Sequence, residues 1–157
     1  MINLIKFKIK RLISMMASYV FKTRVGKFAA EKLLYLSLNS EKEIYYRENN
    51  LKFAVPNSIC RFRIDTFATK EPETLSWIDT FERNAVFWDI GANIGLYSCY
   101  AAKSNDCKVY AFEPSIFNLE LLGRNISLNR LTDKVTIIPI PLTEKLLENK
   151  LSMSTTE

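Results

Sequence analysis

Five residues stand in an order that can do chemistry: Asp89, Gly91, Asn93, Gly95 and, further on, Glu113. Residues 86–95 read V-F-W-D-I-G-A-N-I-G. An apolar strand ends on a carboxylate, turns through a glycine-bearing loop and enters an apolar segment of helical composition. A strand, a glycine turn and a helix start together make a site for a nucleotide cofactor, because the turn brings backbone N–H groups close to the ligand.

The residue types in the loop choose among cofactors. A dinucleotide loop runs G-x-G-x-x-G so that backbone can approach a pyrophosphate; here Asn93 stands between Gly91 and Gly95. The loop has no lysine, so it is not a phosphate-gripping P-loop. Asp89 repels phosphate but attracts an ammonium or sulfonium group. S-adenosylmethionine meets all three conditions: it has no phosphate, carries a sulfonium, and bears both an ammonium and a carboxylate. Glu113 ends the next strand, 22 residues after Gly91. In a doubly wound sheet that position faces the ribose, where a carboxylate accepts from both hydroxyls. Asn93 tolerates left-handed backbone and carries an amide that can meet the cofactor.

The elements that must position these residues form a β-α-β-α-β unit. Strands are expected over 85–90, 108–113 and 134–140, with helices over 94–103 and 115–129. On the second helix Phe117, Leu121, Leu122, Ile126 and Leu128 supply the apolar face. Upstream, 26–40 has helical character around Phe28, Leu33, Leu34 and Leu36. L-K-F-A-V-P-N at 51–57 and C-R-F-R-I-D-T-F at 60–67 alternate apolar with polar, which predicts a hairpin around Pro56-Asn57-Ser58. A helix is expected within 69–81, with Pro72 in its first turn, Glu71 and Glu73 at its positive end, and Leu75, Trp77, Ile78 and Phe81 buried. The tail, 143–157, reads as a short helix ending in polar residues. Three regions result: a basic amphipathic helical segment at 1–40, a hairpin and helix at 41–84, and the cofactor-binding half at 85–157.

Composition narrows the function. The chain has 157 residues, 48% hydrophobic, which is one domain's worth of core. It contains no histidine, which excludes His-based triads and His-ligated metals. Cys60, Cys99 and Cys107 lack metal or disulfide spacing and read as reduced, buried thiols of a cytoplasmic protein. The net charge of +5 is concentrated at the N-terminus: residues 1–30 hold seven basic side chains and no acidic one. The remainder has 15 basic and 17 acidic residues, so no nucleic-acid surface is expected there. The apolar stretch after Arg11 falls short of the roughly 20 residues that span a bilayer. Three readings fit the segment: a helix packed on the domain, a basic helix lying peripherally on an anionic membrane, or a signal peptide, which the lack of a clear small-x-small cleavage site disfavours.

D-I-G-A-N-I-G-L-Y-S followed by V-Y-A-F-E-P-S-I-F-N-L-E-L-L resembles the FkbM-type methyltransferases, and the upstream T-F-A-T-K-E-P-E-T-L-S-W-I-D is similar to the same family. The likeness covers about residues 50–142. It implies a Rossmann-like, class I S-adenosylmethionine-dependent methyltransferase fold and O-methylation of a sugar or secondary-metabolite hydroxyl. It carries cofactor roles to Asp89, Gly91, Asn93, Gly95 and Glu113, and sets the 67–74 segment, with Phe67 and Thr74, against the cofactor. Members of the family continue through four more strands, ordered 3-2-1-4-5-7-6 with the first strand central. The expectation here is the first β-α-β-α-β half alone, truncated at its C-terminus, with no residue assignable as catalytic base. The apolar A-V-F-W-D-I reads as a strand buried on both faces. Left as an edge it would favour self-association, poor solubility and weak cofactor binding. A non-catalytic pseudoenzyme or interaction module is the alternative; half of a nicotinamide oxidoreductase is disfavoured by Asp89 and Asn93.

Overall fold

The structure is a computed structural model that describes residues 2–142. The tail expected to be helical lies outside the described residues. The chain divides into two compact units with the boundary after Ser40.

The first unit is two helices, α1 (Ile2–Val20) and α2 (Arg24–Leu38). Thr23 caps α2, its hydroxyl accepting from the Gly26 N–H at 2.9 Å. Gly26 is buried because its first turn presses on the end of α1: a Cβ there would stand 1.9 Å from the Val20 carbonyl oxygen. The apolar set expected on α2, Phe28, Leu33, Leu34 and Leu36, is exposed in the structure.

The second unit opens with an antiparallel hairpin, β1 (Glu41–Tyr46) and β2 (Asn49–Ala54), turning at Arg47-Glu48. This corrects the hairpin expected over 51–57 and 60–67. Only its first segment is a strand; residues beyond Asn57 form α3 (Ser58–Asp65). The Asn57 side chain accepts from the Cys60 N–H at 2.9 Å and starts the helix. Cys60 and Ile64, one turn apart, then face the core. Alternation over so few residues matched both periods, and the cap decided between them.

Two short helices follow, α4 (Phe67–Lys70) and α5 (Pro72–Ile78), with Pro72 at the start of α5. Leu75 and Ile78 are fully buried, as expected. Trp77 is not: it is 56% exposed, its ring edge-on to Phe81 and Phe87.

The Rossmann-like part is β3 (Val86–Ile90), α6 (Leu96–Ser104), β4 (Lys108–Phe112), α7 (Ile116–Leu128) and β5 (Val135–Ile138). The strands are parallel in the order β3-β4-β5. Phe87, Val109 and Val135 stand in register on the buried face, as do Asp89 and Ala111. The helices α6 and α7 also contact β2, so they lie between hairpin and sheet. Leu121, Leu122 and Ile126 are the buried residues of the α7 face, whereas Phe117 is exposed.

Asn125 of α7 and Asn129, which caps its C-terminal end, complete this sandwich. Asn125 donates to the Ile94 carbonyl and accepts from the Ala54 N–H, both at 2.8 Å. One turn on, Asn129 pairs with both the N–H and the carbonyl of Lys52, at 2.9 and 2.7 Å. Their amides thus satisfy the edge of β2 where a third strand would otherwise pair.

The strand expected to be buried on both faces is buried on one. Phe87 and Asp89 point inward, while Val86, Trp88 and Ile90 are each more than half exposed. In the sheet of described residues β3 is an edge strand.

Candidate functional site

The end of β3 is tied to the end of β4 by main chain. The N–H groups of Gly91 and Ala92 both donate to the Phe112 carbonyl at 2.9 Å, and the Gly95 N–H closes a turn onto Ala92 at 2.8 Å. Three residues of the loop have left-handed backbone: Gly91 at φ 81°, Asn93 at φ 53° and Gly95 at φ 81°. The two glycines serve different ends. A Cβ on Gly91 would meet nothing within 4 Å, so backbone alone demands glycine there. A Cβ on Gly95 would stand 2.4 Å from Leu122 Cδ1, a fully buried side chain. Gly91→Ala is therefore expected to cost about 1–2 kcal/mol, the left-handed penalty. Gly95→Ala adds overpacking and is expected to cost about 2–4 kcal/mol. Urea midpoints of the two variants check the order; equal costs would deny Leu122 a part.

Asp89 is 8% exposed at the mouth of β3, and the Ser98 hydroxyl on α6 donates to its Oδ2. Burial holds its carboxyl above the usual aspartate range; the Glu113 charge adds to this, and the Ser98 bonds oppose it. Glu113, 5% exposed, is used by the loop: its Oε2 accepts from the Asn93 N–H and its Oε1 from the Ser115 N–H, each at 2.8 Å. The Asn93 amide oxygen is buried and without a hydrogen-bond partner, which marks a donor still to be supplied.

Asp89 and Asn93 border a cleft of about 380 Å³ at the C-terminal end of β3, the crevice where open α/β sheets take ligands. Five of the seven residues expected at the site line it: Phe67, Thr74, Asp89, Gly91 and Asn93. Gly95 and Glu113 are not lining residues; Gly95 starts α6 and Glu113 braces the loop from below. The opposite wall comes from α3 to α5 with Arg63, Lys70, Glu71 and Trp77, and Trp88 and Tyr97 complete it. Lys70 and Glu71 fall within the 67–74 segment that the resemblance sets against the cofactor, whereas Arg63, Trp77, Trp88 and Tyr97 were not expected at the site. Phe67 is fixed by an aromatic cluster, with the rings of Tyr46, Tyr100 and Tyr97 at 5.6, 5.8 and 6.1 Å. Burial and the neighbouring Glu71 push the Tyr97 phenol up to about 12.

The arrangement excludes some chemistry. Cys99 lies behind the loop, and burial pushes its thiol up to about 12, far from a reactive thiolate. All three cysteines are free and buried. No group of three or more His, Cys, Asp or Glu able to hold a metal occurs among the described residues.

The fold is a Rossmann-like unit, β-α-β-α-β with its glycine loop at the first crossover and a cleft beside that loop. Comparison with known proteins gives one curated relative, a tRNA (guanine(37)-N(1))-methyltransferase of Dictyostelium discoideum, 28% identical over 100 residues. The match takes in 60% of this chain and 22% of the relative, so the chain spans about a fifth of that protein's length. No family model matches. Among solved structures, M. jannaschii TYW2 in complex with AdoMet aligns over 65% of this chain and 44% of its own, at 23% identity and a TM-score of 0.47. P. horikoshii TYW2 in complex with MeSAdo covers 66% and 37%, at 18% identity and a TM-score of 0.48. The METTL16 MTase domain covers 49% and 32%, at 19% identity and a TM-score of 0.42.

Proposed function

We propose that the cleft binds S-adenosylmethionine and that the chain is the cofactor-binding part of a methyltransferase. The observation that carries this reading is the buried Asp89 beside a lysine-free, left-handed loop. A carboxylate at that point repels a pyrophosphate and attracts an ammonium or sulfonium. The unpartnered Asn93 amide oxygen is a second fit, since the cofactor's amino and hydroxyl groups are donors. Arg63 and Lys70 on the far wall offer cations for its carboxylate, and Trp77 and Trp88 offer ring faces for the sulfonium.

Glu113 takes a double part in this reading. Two backbone N–H groups already hold its oxygens. A carboxylate has about four acceptor positions, which leaves room for ribose hydroxyls on the same group. When bound, the cofactor supplies an electrophilic methyl group; the residues of this chain orient it, and none is assigned as the base that would activate an acceptor.

Two acceptor classes have support. The FkbM resemblance favours a hydroxyl of a sugar or small metabolite. The curated relative, named for a guanine of tRNA, favours an RNA base.

Titration calorimetry of the full chain with S-adenosylhomocysteine and with NAD tests the cofactor. Heat with the first and none with the second is the expected result; the reverse, or binding of neither at millimolar concentration, removes the reading. Transfer of a labelled methyl group to a panel of saccharides and to unmodified tRNA then separates the acceptors. Cofactor binding with no transfer to either panel favours the pseudoenzyme alternative.

A further inference from the structure

Among the described residues, the helix α1 carries an exposed apolar face. Ile9, Leu12, Ile13, Met16 and Val20 recur at helical spacing and share one side, and each is more than half exposed. Lys6 and Lys10 flank one border of that face and Arg11 lies across from them, with Ser14 and Ser18 between; Phe7 alone of the exposed apolar side chains falls among this polar set. No described helix is long and apolar enough to cross a membrane. At 19 residues, α1 is about 28 Å of amphipathic cylinder.

We propose that α1 lies in the plane of an anionic lipid surface, its apolar face in the acyl boundary and its cations among the headgroups. Charge decides the occupant. The first 30 residues hold seven basic side chains and no acidic one, an imbalance that a second copy of this helix would meet with repulsion. An anionic bilayer offers both the apolar phase and the counter-charge. On α2, Val25 and Phe28 are also exposed, and Lys22, Arg24 and Lys27 stand near them in the sequence. This inference stands on the first unit and is independent of what the cleft binds.

Flotation of the full chain with phosphatidylcholine vesicles, and with vesicles also containing phosphatidylserine, tests it. The chain is expected to float with the anionic vesicles and not the neutral ones, and to be released as salt rises from about 0.1 to about 1 M. The triple variant Lys6→Glu, Lys10→Glu, Arg11→Glu is expected to lower partitioning by at least about a hundredfold. The uncharged set Lys6→Gln, Lys10→Gln, Arg11→Gln is expected to fall between it and the parent, and serves if the glutamates weaken the helix by circular dichroism. Ile13→Ser with Met16→Ser, which keeps the charge, is expected to lose binding as well. Equal flotation with neutral vesicles, or no effect of charge reversal, overturns the proposal. So does a sedimenting dimer that ignores both vesicles, which would assign the face to a second copy.

Discussion

Asn125→Leu is expected to destabilise the second unit by about 3–5 kcal/mol, although Leu keeps the branching of Asn and is the better helix former. Asn125 is fully buried in α7, and its amide is spent on two backbone groups from different elements: the Ala54 N–H at the end of β2 and the Ile94 carbonyl in the cleft loop. Leucine would fill the space and pair with neither. A buried N–H and a buried carbonyl left without partners each cost about 1–3 kcal/mol, which outweighs the gain in apolar burial. Urea denaturation is the check, read as a fall in midpoint at unchanged slope. A loss under about 1 kcal/mol would mean that water reaches one or both groups.

The neighbouring asparagine sharpens the test. Asn129 donates to the Asn125 carbonyl as well as pairing with Lys52. Removing both amides is therefore expected to cost less than the sum of the single losses, since the second removal acts on a hairpin already loosened. Ile94 also couples this network to the cleft, because the loop that carries it has Asn93 and Gly91 as wall.

What was legible in the sequence was local. Asp89, Gly91 and Asn93 could be placed on one loop because strand, turn and helix follow one another within ten positions, and their roles in the turn follow from residue type. The parallel arrangement of three strands followed from alternation of short strands with helices, and their order from the family resemblance. What was not legible depends on distant partners. The first strand of the hairpin, E-K-E-I-Y-Y, keeps its two inward residues, Ile44 and Tyr46, among charges and a second tyrosine, so its alternation is faint. The segment after Asn57 looked extended because Cys60, Phe62 and Ile64 alternate; the Asn57 cap and the burial of Cys60 and Ile64 make it a helix. Asn125 in α7 and Asn129 at its C-cap, four residues apart, look like solvent-facing residues, and only the hairpin on the other side explains them. Likewise Arg63 and Trp77 reach the cleft because α3 to α5 fold over it, which no spacing along the chain reports.

Asp89→Asn is expected to move stability and ligand affinity in opposite directions. The Asn carbonyl still accepts from Ser98, so the local hydrogen bond survives. What disappears is a charge that burial, and the nearby Glu113, disfavour. Because the folded-state carboxyl titrates above its unfolded value, the native state binds more protons across the interval between the two. Stability from this group is present below the ordinary aspartate range and is lost as pH rises through the raised value. The asparagine variant lacks that loss, so it is expected to be the more stable protein at neutral pH and to converge with the parent in acid. On the proposed function the same carboxylate faces the cofactor's cationic end, and a hydrogen bond to a charged group contributes about 1.5–3 kcal/mol. Affinity for S-adenosylhomocysteine is therefore expected to fall about 10- to 100-fold. Thermal melts across pH, paired with calorimetry at neutral pH, read the two effects separately. A variant that melts lower at neutral pH would make Asp89 a structural residue. One that melts higher yet binds as tightly would leave the buried charge without a ligand to explain it, since a group that costs the fold stability and contributes nothing to binding has no reason to be ionised there.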